Sequence, residues 1–299
     1  MSRILVGTAS WTDKSLVACG RFYPPDAKTP AARLQFYASC FPVVEVDSAY
    51  YALPSPHNAA LWVERTPADF VFHIKAFRAF TQHRTPIEAL PRDVREALPP
   101  TDKTDIYYKD MPAAIVDRLW EYYRAGIAPL HEAGRLGAVH FQFAPWVLYG
   151  AAALDHIEAC MARLPGLRLS IEFRHRSWFT PEHRDKVLRF LADRGLVHTV
   201  VDEPQGFVNS VPAIWEVTSA ELAVVRMHGR NAATWNRKGL GSSAARFNYD
   251  YSDAELAELA GKIKQLAARS HTVAAFFNNN YEDQGQRNGR TLMRILTRS

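Results

Sequence analysis

Eight short apolar runs recur along this 299-residue chain, and each is followed by a stretch with helical spacing of its apolar residues. They are Ile4–Trp11, Val43–Tyr51, Phe70–Arg78, Leu136–Phe143, a run opening at Leu167, Val197–Asp202, Leu222–Gly229 and His271–Asn278. Regular alternation of strand and helix predicts a parallel sheet, because parallel neighbours need a crossover connection between them. Eight such units fit an α/β fold of one (β/α)8 TIM-like barrel, with long loops after strands three and seven. A doubly wound open sheet is the competing arrangement. The GTASW that closes the first run lacks the GxGxxG turn such a sheet carries there.

Helix signals agree with this reading. Thr29-Pro30 and Ser55-Pro56 pair a capping residue with proline at the first helical position, and Ser252 with Glu255 spells a capping box. Thr180-Pro181-Glu182 opens a helix that Gly195 stops, and the pattern from Pro112 is expected to weaken around Gly126 and Pro129. No second composition regime interrupts residues 1–299, so a single domain is predicted, with a proline- and charge-rich, lid-like insertion at about 81–111.

Composition narrows the class. Hydrophobic residues make up 47% and charged residues 22%, enough for a substantial core. A formal charge of +5 permits anionic ligands without amounting to a nucleic-acid footprint. Cys19, Cys40 and Cys160 form no CxxC pair and are odd in number, which argues against zinc or a disulfide framework; Cys40 and Cys160 read as small buried hydrophobes. No run is long enough to cross a bilayer and the N-terminal run is too short for a signal peptide. The expected compartment is the cytoplasm, with no membrane partner. Oligomeric state is left open.

The polar residues inside the strands point to function. A period of two places Glu45 and Asp47, His73 and Lys75, His140 and Gln142, Glu172 and Arg174, and Arg226 and His228 on inner faces near strand ends. Asp202 ends strand six, Asn278 to Asn280 end strand eight, and Trp11 is a candidate pocket wall. Barrel interiors are ordinarily filled by branched apolar side chains, and buried ions cost several kcal/mol unless paired or wet. A charged pocket at the C-terminal face explains the set better than core does.

Two chemistries are compatible with these residues. In one, Glu172, Asp202 and His228 hold a divalent Mn, Mg or Zn ion. In the other there is no metal; Lys75, Arg174 and Arg226, with Gln142, Asn278 and Trp11, hold an anionic substrate. Glu45, Glu172 and Asp202 then act as acid or base and His228 shuttles protons. The arginines would compete with a cation for the carboxylates, which favours the metal-free reading. His198 and His271, at strand starts, read as structural. The basic, aromatic segment Arg230–Tyr251 reads as an active-site loop, with single-stranded nucleic acid as the other partner its composition suits. A non-catalytic ligand-binding barrel is the further alternative to an enzyme.

These motifs resemble the YecE-like family, domain of unknown function 72. The matching stretches are GTASW at Gly7–Trp11, FYP at Phe22–Pro24, VEVDSAYYALPSP at Val44–Pro56, FVFHIKAFR at Phe70–Arg78, VHFQFAPW at Val139–Trp146, EFRHRSWF at Glu172–Phe179, VRMHGR at Val225–Arg230 and FFNNN at Phe276–Asn280. The resemblance implies a TIM-like barrel and leaves the activity open, hydrolase or isomerase-like chemistry included. It is similar in architecture to the endonuclease IV and xylose isomerase group of metal-dependent barrels. Relative to that group, Asn278 stands where a carboxylate is expected.

Overall fold

The eight apolar runs form eight parallel strands that close on themselves. In the computed structural model, which describes residues 2–237 and 246–298, these are β1 (Arg3–Ala9), β2 (Val43–Val46), β3 (Val71–Lys75), β4 (Leu136–Gln142), β5 (Leu169–Glu172), β6 (Val197–Asp202), β7 (Leu222–Met227) and β8 (Thr272–Phe277). Each pairs with its sequence neighbours and β8 pairs with β1, giving the (β/α)8 barrel. Leu5, Val43, Ala138, Val197, Leu222, Val224, Ala274 and Phe276 fill the floor of the barrel. Branched and small side chains suit this narrow interior, where no polar group would find a partner.

The helices pack outside. Thr29 and Ser55 cap Pro30–Cys40 and Pro56–Glu64, and Ser252 and Glu255 make the reciprocal capping box of Asp253–Ala267. The expected weakening near Gly126 does not occur, and Ala113–Glu132 is one helix with Pro129 in its last turns. Gly126 is there for contact rather than flexibility: a Cβ would collide with the Pro54 carbonyl oxygen, so glycine lets this helix lie against the loop before Pro56–Glu64.

Other boundaries also differ from the sequence reading. The helix expected from Thr180 begins at Arg184, after a 3-10 turn at Arg176–Phe179. β5 ends at Glu172, so Arg174 lies beyond the ladder. Cys160 is buried, but Cys40 is half-buried and accepts a hydrogen bond from Arg290. The insertion after β3 carries a two-residue antiparallel ladder, Thr85–Pro86 with Asp105–Ile106, and short helical turns. Within the loop after β7, residues 238–245 lie outside the described residues.

Candidate functional site

Strand register sets the height of the polar layer. Glu45 lies opposite His73, Lys75 opposite His140, and Gln142 opposite Glu172, all above the apolar floor. Arg226 is the hub of this layer. Its Nη1 donates to Glu172 Oε2 at 2.6 Å and to Gln142 Oε1 at 3.2 Å, and its Nη2 donates to Glu45 Oε1 at 2.6 Å. Arg226 and Glu172 are both 0% exposed. Burial opposes charge on each. For Glu172 the neighbouring Arg226 guanidinium wins and holds the carboxyl well below the usual carboxylate range. For Arg226, Glu172 and Glu45 together hold the proton more firmly than in water.

His228 completes the interior. Its Nε2 lies 3.2 Å from Glu172 Oε1 and its Nδ1 2.7 Å from Asn278 Nδ2. One tautomer serves both contacts: Nε2–H donates to the carboxylate and Nδ1 accepts from the amide. Burial, reinforced by Arg226 and Arg174, pushes the imidazole down to about 3 although Glu172 opposes the shift. The neutral ring that this favours bridges Glu172 and Asn278. His140 bonds Ser170 and faces Glu172 at 3.4 Å.

Towards solvent the network ends in two cations. Lys75 Nζ lies 2.8 Å from Asp47 Oδ1, 3.0 Å from Gln142 Oε1 and 3.9 Å from Glu45. Burial opposes ionisation of Asp47, and Lys75 outweighs it, keeping the carboxyl low. Arg174 Nη1 donates to Glu172 Oε1 at 3.1 Å, its Nη2 lies 3.5 Å from Glu203 Oε2, and its guanidinium packs 5.2 Å from the ring centre of Trp235. Trp235, from the loop after β7, is itself buried and covers this corner.

Glu203 is the residue the sequence reading missed. It is 2% exposed, Oε1 accepts from the Val211 backbone N–H at 2.8 Å, and Oε2 has no hydrogen-bond partner among the described residues. Burial pushes its carboxyl up to about 7, against the pull of Arg174. The signal was present: counting by two from Val197, part of the barrel floor, passes Thr199 and Val201 and reaches Glu203.

Asp202 falls on the opposite face by the same count. It takes a two-pronged contact from Arg230 at 2.8–3.1 Å and a 2.6 Å hydrogen bond from the Tyr251 hydroxyl. Arg230 also reaches Glu255 at the start of Asp253–Ala267, so this group fastens the loop to the helix. Asp202 is thereby removed from the acid–base set, and Glu172, Asp202 and His228 do not form a common ligand set. Among the described residues no group of three or more His, Cys, Asp or Glu side chains is arranged to hold a metal. Arg226 is likewise corrected: wholly enclosed and satisfied by two carboxylates, it organises the layer rather than reaching a substrate.

Two concavities open on the described surface, and the smaller shares Asp47 with the network. A wide groove of about 1260 Å³ runs between the insertion and Trp146 and His156. A smaller cavity of about 330 Å³ opens at the ends of β1 and β2, and Trp11 lies in its wall. Large exposed apolar side chains, Tyr51, Tyr107, Trp146, Leu148 and Val208, all belong to segments that follow strand C-terminal ends. His198, by contrast, faces outwards and bonds the Ile214 carbonyl. No helix among the described residues is long and apolar enough to cross a membrane.

Comparison with known proteins places this arrangement among relatives. The profile of the family described as protein of unknown function DUF72 matches residues 5–299. The UPF0759 protein YunF of Bacillus subtilis is 28% identical over 295 residues, covering 98% of this chain and 94% of that one. A DUF72 family protein of Enterococcus faecalis superposes with a TM-score of 0.79 at 25% identity, covering 99% of this chain and 96% of that one. One from Thermotoga maritima gives 0.76 at 26% identity and 99% coverage of both chains.

Proposed function

This chain belongs to the DUF72 family, and from that premise we propose that it is an enzyme acting on an anionic, phosphate- or carboxylate-bearing substrate at the C-terminal mouth of its barrel. Lys75 and Arg174, the cations at the solvent edge of the network, meet the substrate's charge. Glu203 serves as the acid that donates a proton to the departing or rearranging oxygen. Glu172 stays ionised beside it and stabilises positive charge.

One observation carries the reading. Glu172 and Glu203 share a single guanidinium, that of Arg174, yet their surroundings drive their carboxyls in opposite directions, Glu203 up to about 7 and Glu172 well below the usual range. Carboxyl pairs separated in this way mark acid and base assignments, because an acid must keep its proton at working pH and its neighbour must not. A purely structural ion pair gains nothing from leaving one buried carboxyl oxygen, Glu203 Oε2, without a hydrogen bond.

The test begins with Glu203 itself. A carboxyl ¹³C titration is expected to show a group moving near pH 7 that is absent from Glu203→Gln. Because the folded pKa is raised, the folded chain holds this proton more tightly than the unfolded one between about pH 4.5 and 7. That contribution to stability is present at low pH and is lost as pH rises through the window, and Glu203→Gln removes the slope. Turnover of a panel of phosphorylated sugars and organic acids, abolished by Glu203→Gln with melting temperature retained, completes the case. A Glu203 that titrates with ordinary carboxyls overturns it.

A further inference from the structure

We propose that the 330 Å³ cavity at the ends of β1 and β2 is a binding site for a small organic phosphate, held at its oxyanion by Arg33 and Arg65. The assignment adds to the reading above a second anion subsite, apart from Lys75 and Arg174, and it rests on that reading only for the idea that the bound molecule is transformed.

Charge decides the ligand class. Arg33 and Arg65 line the cavity from the helix Pro30–Cys40 and from the end of Pro56–Glu64. Arg33 Nε donates to the Ala27 carbonyl oxygen, and among the described residues neither guanidinium has a carboxylate partner. The acid in the wall, Asp47, is already neutralised by Lys75 at 2.8 Å. Two arginines therefore line a concave space with no carboxylate partner among the described residues, and their planar donor forks suit the tetrahedral oxygens of a phosphate.

The remaining walls supply neutral donors and an apolar side. Ser10, Thr12 and Ser48 offer hydroxyls. Ser10 holds a left-handed backbone (φ 69°), fixed by its N–H to the Glu45 carbonyl oxygen at 2.8 Å. Such a conformation in a residue other than glycine is strained and is kept where the surroundings over-determine it, commonly at ligand sites. Here it turns the chain at the end of β1 into the cavity, and the same carbonyl belongs to the carboxylate residue that Arg226 holds. Trp11 and Trp62 meet edge to face, with ring centres 5.6 Å apart, and give the space an aromatic flank. The volume is at the lower end for small-molecule pockets, which suits a phosphate on a compact body rather than a dinucleotide or a polymer.

The site also communicates with the buried layer. Asp47 is at once a wall of the cavity and the partner of Lys75, whose ammonium contacts Gln142 and through it Arg226. A phosphate seated between the arginines would lie one side chain away from the solvent edge of the network.

The experiment measures melting of the full chain in phenyl phosphate, inorganic phosphate and chloride at matched ionic strength, with Arg33→Met, Arg65→Met and the double variant. Both arginines are only half-buried, so the variants are expected to fold. At ten times its Kd a ligand for the folded state should raise the melting temperature by about 2 °C for a chain of this length. Phenyl phosphate should exceed inorganic phosphate, each arginine variant should weaken binding at least tenfold, and the double variant should respond as to chloride. Glu203→Gln should bind phenyl phosphate as the unaltered chain does. Equal stabilisation of the double variant, or none of the unaltered chain, overturns the site while leaving the titration of Glu203 to be judged separately. Loss of binding in Glu203→Gln alone would place the phosphate elsewhere in the network and also overturn it.

Discussion

Removing the Arg226 guanidinium tests whether the charged layer is organised from its centre. In Arg226→Met the side chain keeps roughly its volume and loses both ends of the bridge between Glu45 and Glu172. Each of those carboxylates is buried, and leaving a buried charge without its partner costs about 3–5 kcal/mol. Unfolding entropy near 2.1 cal/mol/K per residue amounts to about 0.6 kcal/mol/K over 299 residues, so the melting temperature should fall by about 5–8 °C. Arg226→Lys should recover only part, since one ammonium cannot donate in two directions as a fork does. Adding Glu172→Gln and Glu45→Gln to Arg226→Met should restore part of the stability, because the orphaned carboxylates are then gone while Arg174 loses its Glu172 partner. Arg92→Ala is the control: Arg92 pairs with Glu96 on an exposed helical turn, worth about 0.3–0.5 kcal/mol, and should move the melt by less than 1 °C. Thermal melts followed by circular dichroism suffice. If Arg226→Met shifts the melt no more than Arg92→Ala does, the carboxylates are not relying on Arg226 and the account of the layer fails.

Other consequences follow from packing and protonation. Gly126→Ala should cost about 1–3 kcal/mol, read as a lower denaturant midpoint with unchanged slope, because the methyl group must push the helix off Pro54. A neutral result would mean that Ala113–Glu132 does not rest on that loop. Burial holds His73 neutral down to about 3, so between pH 6.5 and 3 the folded chain binds fewer protons than the unfolded one. Stability should therefore fall as pH drops below 6.5, and His73→Gln should flatten part of that slope in melts from pH 7.5 to 4.5. His83, His156, His175, His198 and His228, lowered by the same cause, act in the same direction, and the raised Glu203 opposes them between about pH 7 and 4.5.

The barrel was legible because its strands alternate with helices and carry polar residues at a strict period of two. That period found Glu45, Lys75, Gln142, Glu172 and Arg226, which the structure brings together in one layer. It missed Glu203 because Asp202 closes the hydrogen-bonded strand and drew attention one residue too early. The side chain that continues the inner face lies just past the ladder, where a strand reading stops. Arg33 and Arg65 were hidden for a different reason. They sit on helices, whose spacing says which face is buried but not whether a long side chain at a helix edge tips over the rim of a neighbouring strand.

The distinction between Asp202 and Glu203 bears on what the layer can do. Adjacent residues on a strand face opposite sides, so one carboxyl is used to fasten the loop after β7 through Arg230 and Tyr251, and the other is directed at Arg174. The loop so fastened carries Trp235, which packs on the same Arg174 guanidinium. A single dipeptide at the end of β6 thus sets both the acid beneath Arg174 and the anchoring of the aromatic cover above it. Shifting the pair by one residue would exchange the two roles and abolish both. The count of residues from the barrel floor, more than the identity of either acid, determines which of them can meet a substrate.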